Sequence, residues 1–201
     1  PPDTLVVRVI RAPHAHAGFA FGDLATFLAE QPGVQAVLTA ADIPGQNRFG
    51  VIPAFVDQPV FAETVVRFLG EAVAAVIGAP EDMAGFDVET FPVVWTPLPA
   101  LSSPREALSP GAERLHADRP GNVMCEGFVQ RGDVKTALAS ADVTVSGTFQ
   151  TGFVEHAYIE PEAGYAVPVG DRIEVHACTQ APVMDREALE VILGWPADRI
   201  R

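Results

Sequence analysis

The sequence predicts an α/β fold of the α+β type, in which a mixed sheet with short helices is followed by the start of a second domain. Apolar, β-branched runs typical of strands alternate with short segments that carry helix caps and helical apolar spacing. A hydrophobic fraction of 48% is sufficient for a packed core. A stretch rich in Pro and Gly at residues 102–122 separates the two parts of the chain.

The first elements follow from residue types and turn signals. Residues 5–10 form a β-branched run and predict a strand, and Pro13 disfavours helix in the loop that follows. Asp23 is a suitable cap for a short helix, whose apolar side chains fall on one face. A Pro-Gly pair at residues 32–33 ends this helix, and residues 34–39 return as a strand.

The next segment begins with irregular sequence and then becomes strongly apolar. Residues 46–61 are rich in Gly, Pro and Phe without a clear period, which indicates a surface excursion. Residues 64–68 predict a strand, and residues 73–77 predict a central strand buried on both faces. A helix weakened by its internal glycine is predicted at residues 80–89, and another strand at residues 91–95.

The second part of the chain contains a new series of elements. Asp133 predicts a cap for a short helix through residue 140. Apolar and polar residues alternate over residues 143–150, which predicts a half-buried antiparallel strand. Residues 164–169 and 173–177 predict two further strands, and residues 185–193 a helix that Gly194 closes.

Composition excludes several classes of function. The 26 acidic and 13 basic residues give a formal charge of −13, without the basic stripe that nucleic-acid binding requires. Two distant cysteines cannot hold an iron–sulfur cluster or a zinc ribbon by themselves, and they suit a reducing compartment. No apolar run approaches the length of a membrane span. We therefore expect the cytoplasm as the location, with the periplasm as the alternative.

Residues 155–162 hold the densest group of chemically capable side chains. In a strand, His156, Tyr158 and Glu160 would share one face and Glu155 would point the other way. Neighbours on one strand face stand too far apart to close on one ion without a bulge. We therefore expect no metal site here, and we interpret these four residues as hydrogen-bonding groups that shape and seal a pocket.

Eight segments of the chain, in order, resemble the molybdenum-binding large subunit of the xanthine dehydrogenase and aldehyde oxidase family. Gln180 lies in the last of them, at a junction between a predicted strand and a predicted helix. The segments are VIRAPHAHA at 9–17, residues 32–45, QPVFA at 58–62, VRFLGEAVAAV at 66–76, PLPA at 97–100, RGDV at 131–134, EHAYIEPEAG at 155–164 and TQAP at 179–182.

The resemblance implies a division into domains and a chemistry. It makes residues 1–101 an a/b hammerhead domain, residues 102–122 a linker, and residues 123–201 the beginning of a molybdopterin-binding domain. Members of the family are molybdopterin-dependent oxidoreductases that hydroxylate an aldehyde or N-heterocycle with oxygen from water. The implied cofactors are molybdenum with molybdopterin or molybdopterin cytosine dinucleotide, and [2Fe-2S] and FAD on partner subunits or domains.

Gln180 is the residue of this chain to which the resemblance assigns a cofactor contact. In the family the matching glutamine directs its side-chain amide toward an oxo ligand of molybdenum, and an amide N–H can donate there without adding charge. From the residues alone, the simplest role is that its amide caps the first turn of the following helix.

The family's next Gly-rich loop and its catalytic glutamate are expected beyond Arg201, so no catalytic residue is assigned here. We expect a fragment of a larger chain that is inactive alone. We also expect exposed apolar surface beyond about residue 123. Its expected partners are the remainder of the subunit, iron–sulfur and FAD subunits, a small-molecule substrate and further copies in an oligomer. The alternative is a non-catalytic α/β interaction or assembly module that shares the hammerhead fold.

Overall fold

The computed structural model describes residues 3–201, which divide into two units. The first unit comprises residues 3–101 and 162–201, and the second comprises residues 102–161. The predicted domain boundaries follow the order of the chain, whereas the first unit joins its two ends. The last forty residues therefore pack in the same unit as the first hundred.

The first sheet is built around the strand with the most apolar sequence. Strands β1 (Val6–Arg11) and β3 (Val34–Thr39) pair antiparallel with the two edges of β5 (Ala72–Gly78). Residues 73–76 of β5 are at most 2% exposed. The prediction of a central, buried strand at residues 73–77 is confirmed, since a strand that is hydrogen-bonded on both sides and covered on both faces needs apolar side chains throughout.

The second sheet is centred on β2 (Ala17–Phe21), a strand that was not predicted. It pairs antiparallel with β4 (Val65–Val66) on one side and with β6 (Val93–Pro97) on the other. Strand β4 is shorter than residues 64–68, and β6 begins two residues later than the predicted strand at 91–95. Phe19 of β2 packs against Trp95 of β6 with ring centroids 5.5 Å apart.

Two short helices lie against strands of the first sheet. Helix α1 (Leu24–Glu30) begins at Asp23, whose carboxylate accepts the backbone N–H of Thr26 at 2.9 Å, as predicted. Helix α2 (Pro80–Ala84) ends at Gly85, and a separate 3₁₀ turn follows at Val88–Thr90. The single helix predicted at residues 80–89 is therefore wrong in length, because the glycine terminates it.

A β-hairpin and a helix form the last part of the first unit. Strands β7 (Gly164–Val169) and β8 (Arg172–Ala177) pair antiparallel around a turn at Gly170, as predicted. Helix α5 (Pro182–Leu193) starts three residues earlier than predicted, because proline suits the first helical position, and it ends at Gly194 in the left-handed region. Ile200 then forms a parallel bridge with Ile173 of β8.

The second unit has little regular structure. It holds helix α3 (Pro104–Ala107), a 3₁₀ turn at Pro120–Asn122, and helix α4 (Val134–Ala139), which begins at Asp133 as predicted. The strand predicted at residues 143–150 is not formed. Its alternating pattern indicates a half-buried strand, but no segment among residues 3–201 pairs with it, and a strand needs a hydrogen-bonded neighbour.

Apolar side chains of the second unit are exposed to a degree that is unusual for a folded protein. Val129 is 98% exposed and Phe149 is 94% exposed. The expectation of exposed apolar surface beyond residue 123 is confirmed, because Tyr165 and Val183 in the last forty residues are also more than half exposed, although Ile200 is buried.

The fold class is confirmed: strands and short helices pack together, as expected for an α+β protein. Pairing between the named strands is antiparallel, and parallel pairing occurs at the Ile173–Ile200 bridge. Within residues 3–201, no helix has both the length and the apolar character needed to cross a bilayer.

Candidate functional site

Gln180 lies at the point where β8 gives way to α5. Its side chain is exposed, and no hydrogen bond of that side chain is found among residues 3–201. The N-cap of α5 is Ala181, and no side chain caps the helix. The capping role that the residues alone suggested for Gln180 is therefore not observed, and its amide can reach a group outside the protein.

The first turn of α5 presents additional hydrogen-bond donors beside this amide. The first backbone N–H groups of a helix have no acceptor within it, and the aligned peptide dipoles place partial positive charge at this end. Thr179 does not satisfy the first turn, because its hydroxyl instead accepts the N–H of Ala181 at 2.9 Å. Pro182 has no N–H, and the N–H of Asp185 donates to the carbonyl oxygen of Ala181. Val183 and Met184 thus supply the donors of this turn, while Asp185 places a carboxylate in it. The junction can therefore donate hydrogen bonds to an electron-rich group through groups that are themselves neutral.

Cys178 fixes the segment that leads into Gln180. Its backbone N–H donates to the carbonyl oxygen of Ala163 at 3.1 Å, and its Sγ accepts the N–H of Ala163 at 2.9 Å. Sγ also lies 3.0 Å from that carbonyl oxygen and 3.8 Å from a carboxylate oxygen of Glu162. The end of β8 is thereby joined to the start of β7. Sequence reasoning missed this contact, since most of the partner atoms belong to the backbone.

The four residues predicted to shape a pocket lie in the second unit, where all are exposed. The backbone N–H of His156 donates to Oε1 of Glu155 at 3.0 Å. The rings of His156 and Tyr158 stack with centroids 5.9 Å apart and planes at 5°. Between them, Ala157 has φ of +52°, so the backbone is not extended at this point.

The structure thus keeps His156 and Tyr158 together and leaves Glu160 without a described side-chain contact to either ring. Within residues 3–201, no group of three His, Cys, Asp or Glu side chains is arranged to hold a metal ion. What this cluster can offer chemically is a stacked aromatic pair beside a carboxylate, a surface suited to hydrogen bonding and packing.

Two family models match the sequence in succession. The model described as "Aldehyde oxidase and xanthine dehydrogenase, a/b hammerhead domain" matches residues 1–99. The model described as "Molybdopterin cofactor-binding domain" matches residues 115–201, the stretch that contains Gln180 and the stacked pair.

Similar proteins match over the whole chain. A probable subunit of xanthine dehydrogenase from Bacillus subtilis is 38% identical over 100% of the chain and 26% of its own length. The nicotinate dehydrogenase large molybdopterin subunit from Eubacterium barkeri is 30% identical over 100% of the chain and 46% of its own length. The structure of an aldehyde oxidoreductase from Desulfovibrio gigas superposes with a TM-score of 0.87 at 29% identity. The superposition covers 100% of the chain and 23% of the length of the aldehyde oxidoreductase.

The chain therefore spans between about a quarter and a half of the length of these relatives. The two family models account for nearly all of its residues, and they occur in the order in which the sequence segments suggested them. The resemblance noted in the sequence is confirmed, and the chain belongs to the aldehyde oxidase and xanthine dehydrogenase family of molybdopterin-dependent oxidoreductases.

Proposed function

We propose that this chain is part of a molybdenum hydroxylase and that Gln180 is its hydrogen-bond donor to the molybdenum centre. One observation carries the proposal: the Gln180 amide is exposed at a strand-to-helix junction and has no described hydrogen-bond partner. This junction lies within the stretch that matches the cofactor-binding model. An exposed amide is available to an external group, and its place in the stretch matched by the cofactor-binding model is what separates Gln180 from another exposed glutamine such as Gln35.

The donor set at this junction fits the proposed group. A molybdenum centre carries electron-rich oxygen ligands, and a neutral amide N–H can donate to such an oxygen without coordinating the metal. Val183 and Met184 in the first turn of α5 add two backbone N–H groups of the same polarity, beside the carboxylate of Asp185. When bound, molybdopterin or its cytosine dinucleotide supplies the oxidative hydroxylation of a carbon with oxygen from water. Gln180 would orient and polarise the oxygen ligand to which its amide donates, and α5 would hold Gln180 in place.

Two further assignments concern the domains and the residues around the cofactor. Residues 1–101 would be the hammerhead domain, 102–122 a linker and 123–201 the opening of the cofactor-binding domain. The match of the hammerhead model to residues 1–99 supports the first boundary, whereas the cofactor-binding model begins at residue 115, inside the proposed linker. Glu155, His156, Tyr158 and Glu160 would shape the pocket, with the stacked ring pair as the packing element.

Substrate class and electron transfer are proposed from the relatives. Their names include dehydrogenases of xanthine and nicotinate and an oxidoreductase of aldehydes, which favours an aldehyde or an N-heterocycle as substrate. Two of the names denote subunits of larger assemblies. Iron–sulfur and FAD groups on partner subunits or domains would then carry the electrons away, because the two cysteines here cannot hold a cluster.

The test uses the full-length enzyme that contains this chain. Gln180→Ala should retain molybdenum and pterin, measured by elemental analysis and by fluorescence of the oxidised pterin. It should lose about 10- to 100-fold in kcat, the usual effect of removing one such hydrogen-bond donor near a metal. Gln180→Glu should lose more, because it replaces a donor by a negative charge. The matched control is Gln35→Ala at another exposed glutamine, which should leave turnover unchanged.

Two results would refute the proposal. One is a Gln180→Ala enzyme with wild-type kcat and full cofactor content, which would remove the assigned contact. The other is a full-length protein, made in a host that synthesises the cofactor, that contains neither molybdenum nor pterin. The second result would leave a non-catalytic interaction module as the better description.

A further inference from the structure

The C-terminal end of α5 rests on the loop that follows β3. The backbone N–H of Gly45 donates to the carbonyl oxygen of Ile192, and that of Gln46 donates to the carbonyl oxygen of Val191, each at 2.9 Å. The last carbonyl groups of a helix have no partner within it. The loop therefore satisfies two of them with its own backbone, and this links residues matched by the hammerhead model to a helix matched by the cofactor-binding model.

Gly45 allows this approach because it has no side chain. A Cβ at this position would overlap with the carbonyl oxygen of Val191 and would lie 2.7 Å from the nitrogen of Gly194 and 2.8 Å from the oxygen of Ile192. These are all backbone atoms, so no side-chain rotation could relieve the contact. Restoring ordinary separations of about 3.5 Å would require the loop and the helix to move apart by about 1 Å.

The loop is braced on both sides and cannot easily yield. Before it, the carboxylate of Asp42 accepts the N–H of Thr39 at 2.8 Å and its hydroxyl at 2.9 Å. After it, the side-chain amide of Asn47 donates to the carbonyl of Phe61 at 2.8 Å and accepts the N–H of Phe61 at 3.1 Å. Gly45 lies between these two anchors, so its position follows the packing of the first unit.

We propose that Gly45 is a positioning residue that acts through α5 to set the place of the Gln180 amide. The inference rests on the proposed function of Gln180. With 12 residues, α5 is about 18 Å long, and a helix of this length moves largely as one rod. Gln180 precedes one end of the rod and Gly45 supports the other. The chain is also attached two residues before Gln180, by the hydrogen bonds between Cys178 and Ala163. A shift of about 1 Å at the Gly45 support moves the helix against this second attachment and displaces the amide, which lies between the two, by up to a similar distance.

The expected effect on the reaction is large for a residue so far from the amide. Displacing a group that binds the reacting centre by about 1 Å can reduce turnover by about 100-fold. Because substrate binding does not depend on Gly45, the loss should occur in kcat, with KM little changed. A residue that served stability alone would also lower the apparent kcat at unchanged KM, because less enzyme would be folded. The kcat is therefore expressed per molybdenum bound, where a purely structural role leaves it unchanged and a positioning role lowers it.

The experiment compares Gly45→Ala, Asn47→Ala and the control Gly85→Ala in the full-length protein. A Cβ at Gly85 would have no atom within 4 Å, so this replacement should change neither hydrogen exchange in α5 nor turnover. In protein purified without cofactor, Gly45→Ala should speed amide hydrogen exchange in α5 by about tenfold, and Asn47→Ala by less. In the holoenzyme, Gly45→Ala should lower kcat by about 10- to 100-fold. In a Gln180→Ala background the same change should cost little more, because the two residues act through one amide.

The inference is overturned if α5 exchanges at the wild-type rate in both Gly45→Ala and Asn47→Ala. It is also overturned if the kcat losses of Gly45→Ala and Gln180→Ala multiply. Should Gly45→Ala not fold, Asn47→Ala is used for both measurements, the exchange rate in α5 and the kcat in the Gln180→Ala background, since it removes one brace of the loop and introduces no overlap. If Gln180→Ala leaves kcat unchanged, the proposed function fails, and faster exchange in α5 then still supports Gly45 as the anchor of the helix.

Discussion

Replacing Met83 by alanine tests how α2 is held on the first sheet. Met83 is 1% exposed, belongs to the main apolar cluster and is the buried residue of α2, which lies against β1 and β5. The change removes Cγ, Sδ and Cε, and at about 0.8 kcal/mol for each buried group the transfer loss is about 2.4 kcal/mol. The cavity left behind adds to this, so we expect a loss of about 3 kcal/mol within the usual range of about 2–5 kcal/mol.

Urea unfolding followed by the fluorescence of Trp95 and Trp195 measures this loss, because both tryptophans belong to the first unit. The matched control is Met184→Ala in α5, where the same side chain is 40% exposed and the expected loss is below about 1 kcal/mol. Equal losses for the two variants, at an unchanged m-value, would refute the argument that Met83 attaches α2 through burial.

Two further predictions concern helix ends. Gly194 closes α5 at φ of +65°, and a Cβ there would lie 3.7 Å from its nearest neighbour, which leaves room for a methyl group. Gly194→Ala should therefore lower the free energy of unfolding in urea by about 1–2 kcal/mol through backbone strain alone. A loss near zero would contradict this. At the start of α1, hydrogen bonds from the backbone N–H of Thr26 and then from its hydroxyl lower the pKa of Asp23. A lowered folded pKa stabilises the native state above the unfolded value near pH 4, and this stabilisation is lost as pH falls further. Asp23→Ala should therefore reduce the free energy of unfolding at pH 7 and make it decline less steeply below about pH 4. If the free energy of unfolding declined equally steeply in both proteins below about pH 4, Asp23 would not be the source of this pH dependence.

Elements with local signals were predictable from the sequence. The caps at Asp23 and Asp133 and the closing glycine of α5 depend on residues within a few positions of each other, and the structure has all three. The buried strand β5 was predictable for a related reason, because an uninterrupted apolar run is stable only where both of its faces are covered.

Features that depend on distant partners were not predictable in the same way. Strand β2 has alanine or glycine at every position except its two phenylalanines, and small residues weaken the strand signal even though the pairing with β4 and β6 stabilises it. Residues 143–150 present the opposite case. Their alternation is a strong local signal for a strand, but local preference cannot form a strand without a neighbour among residues 3–201.

The candidate site also contains residues that were predictable from the sequence and residues that were not. Gln180 could be named from the sequence because the TQAP segment and its neighbours resemble a family motif, whereas amide chemistry alone suggested a helix cap. The residues that hold the far end of α5 could not be predicted, since Gly45 and Gln46 act through backbone N–H groups that leave no side-chain pattern. Two different reasons require glycine at positions 45 and 194. Gly194 has a backbone conformation in the left-handed region, whereas a side chain at Gly45 would overlap with backbone atoms at the end of α5. Only the packed structure separates these two requirements, so substitution at Gly45 should act on the helix, and through it on Gln180.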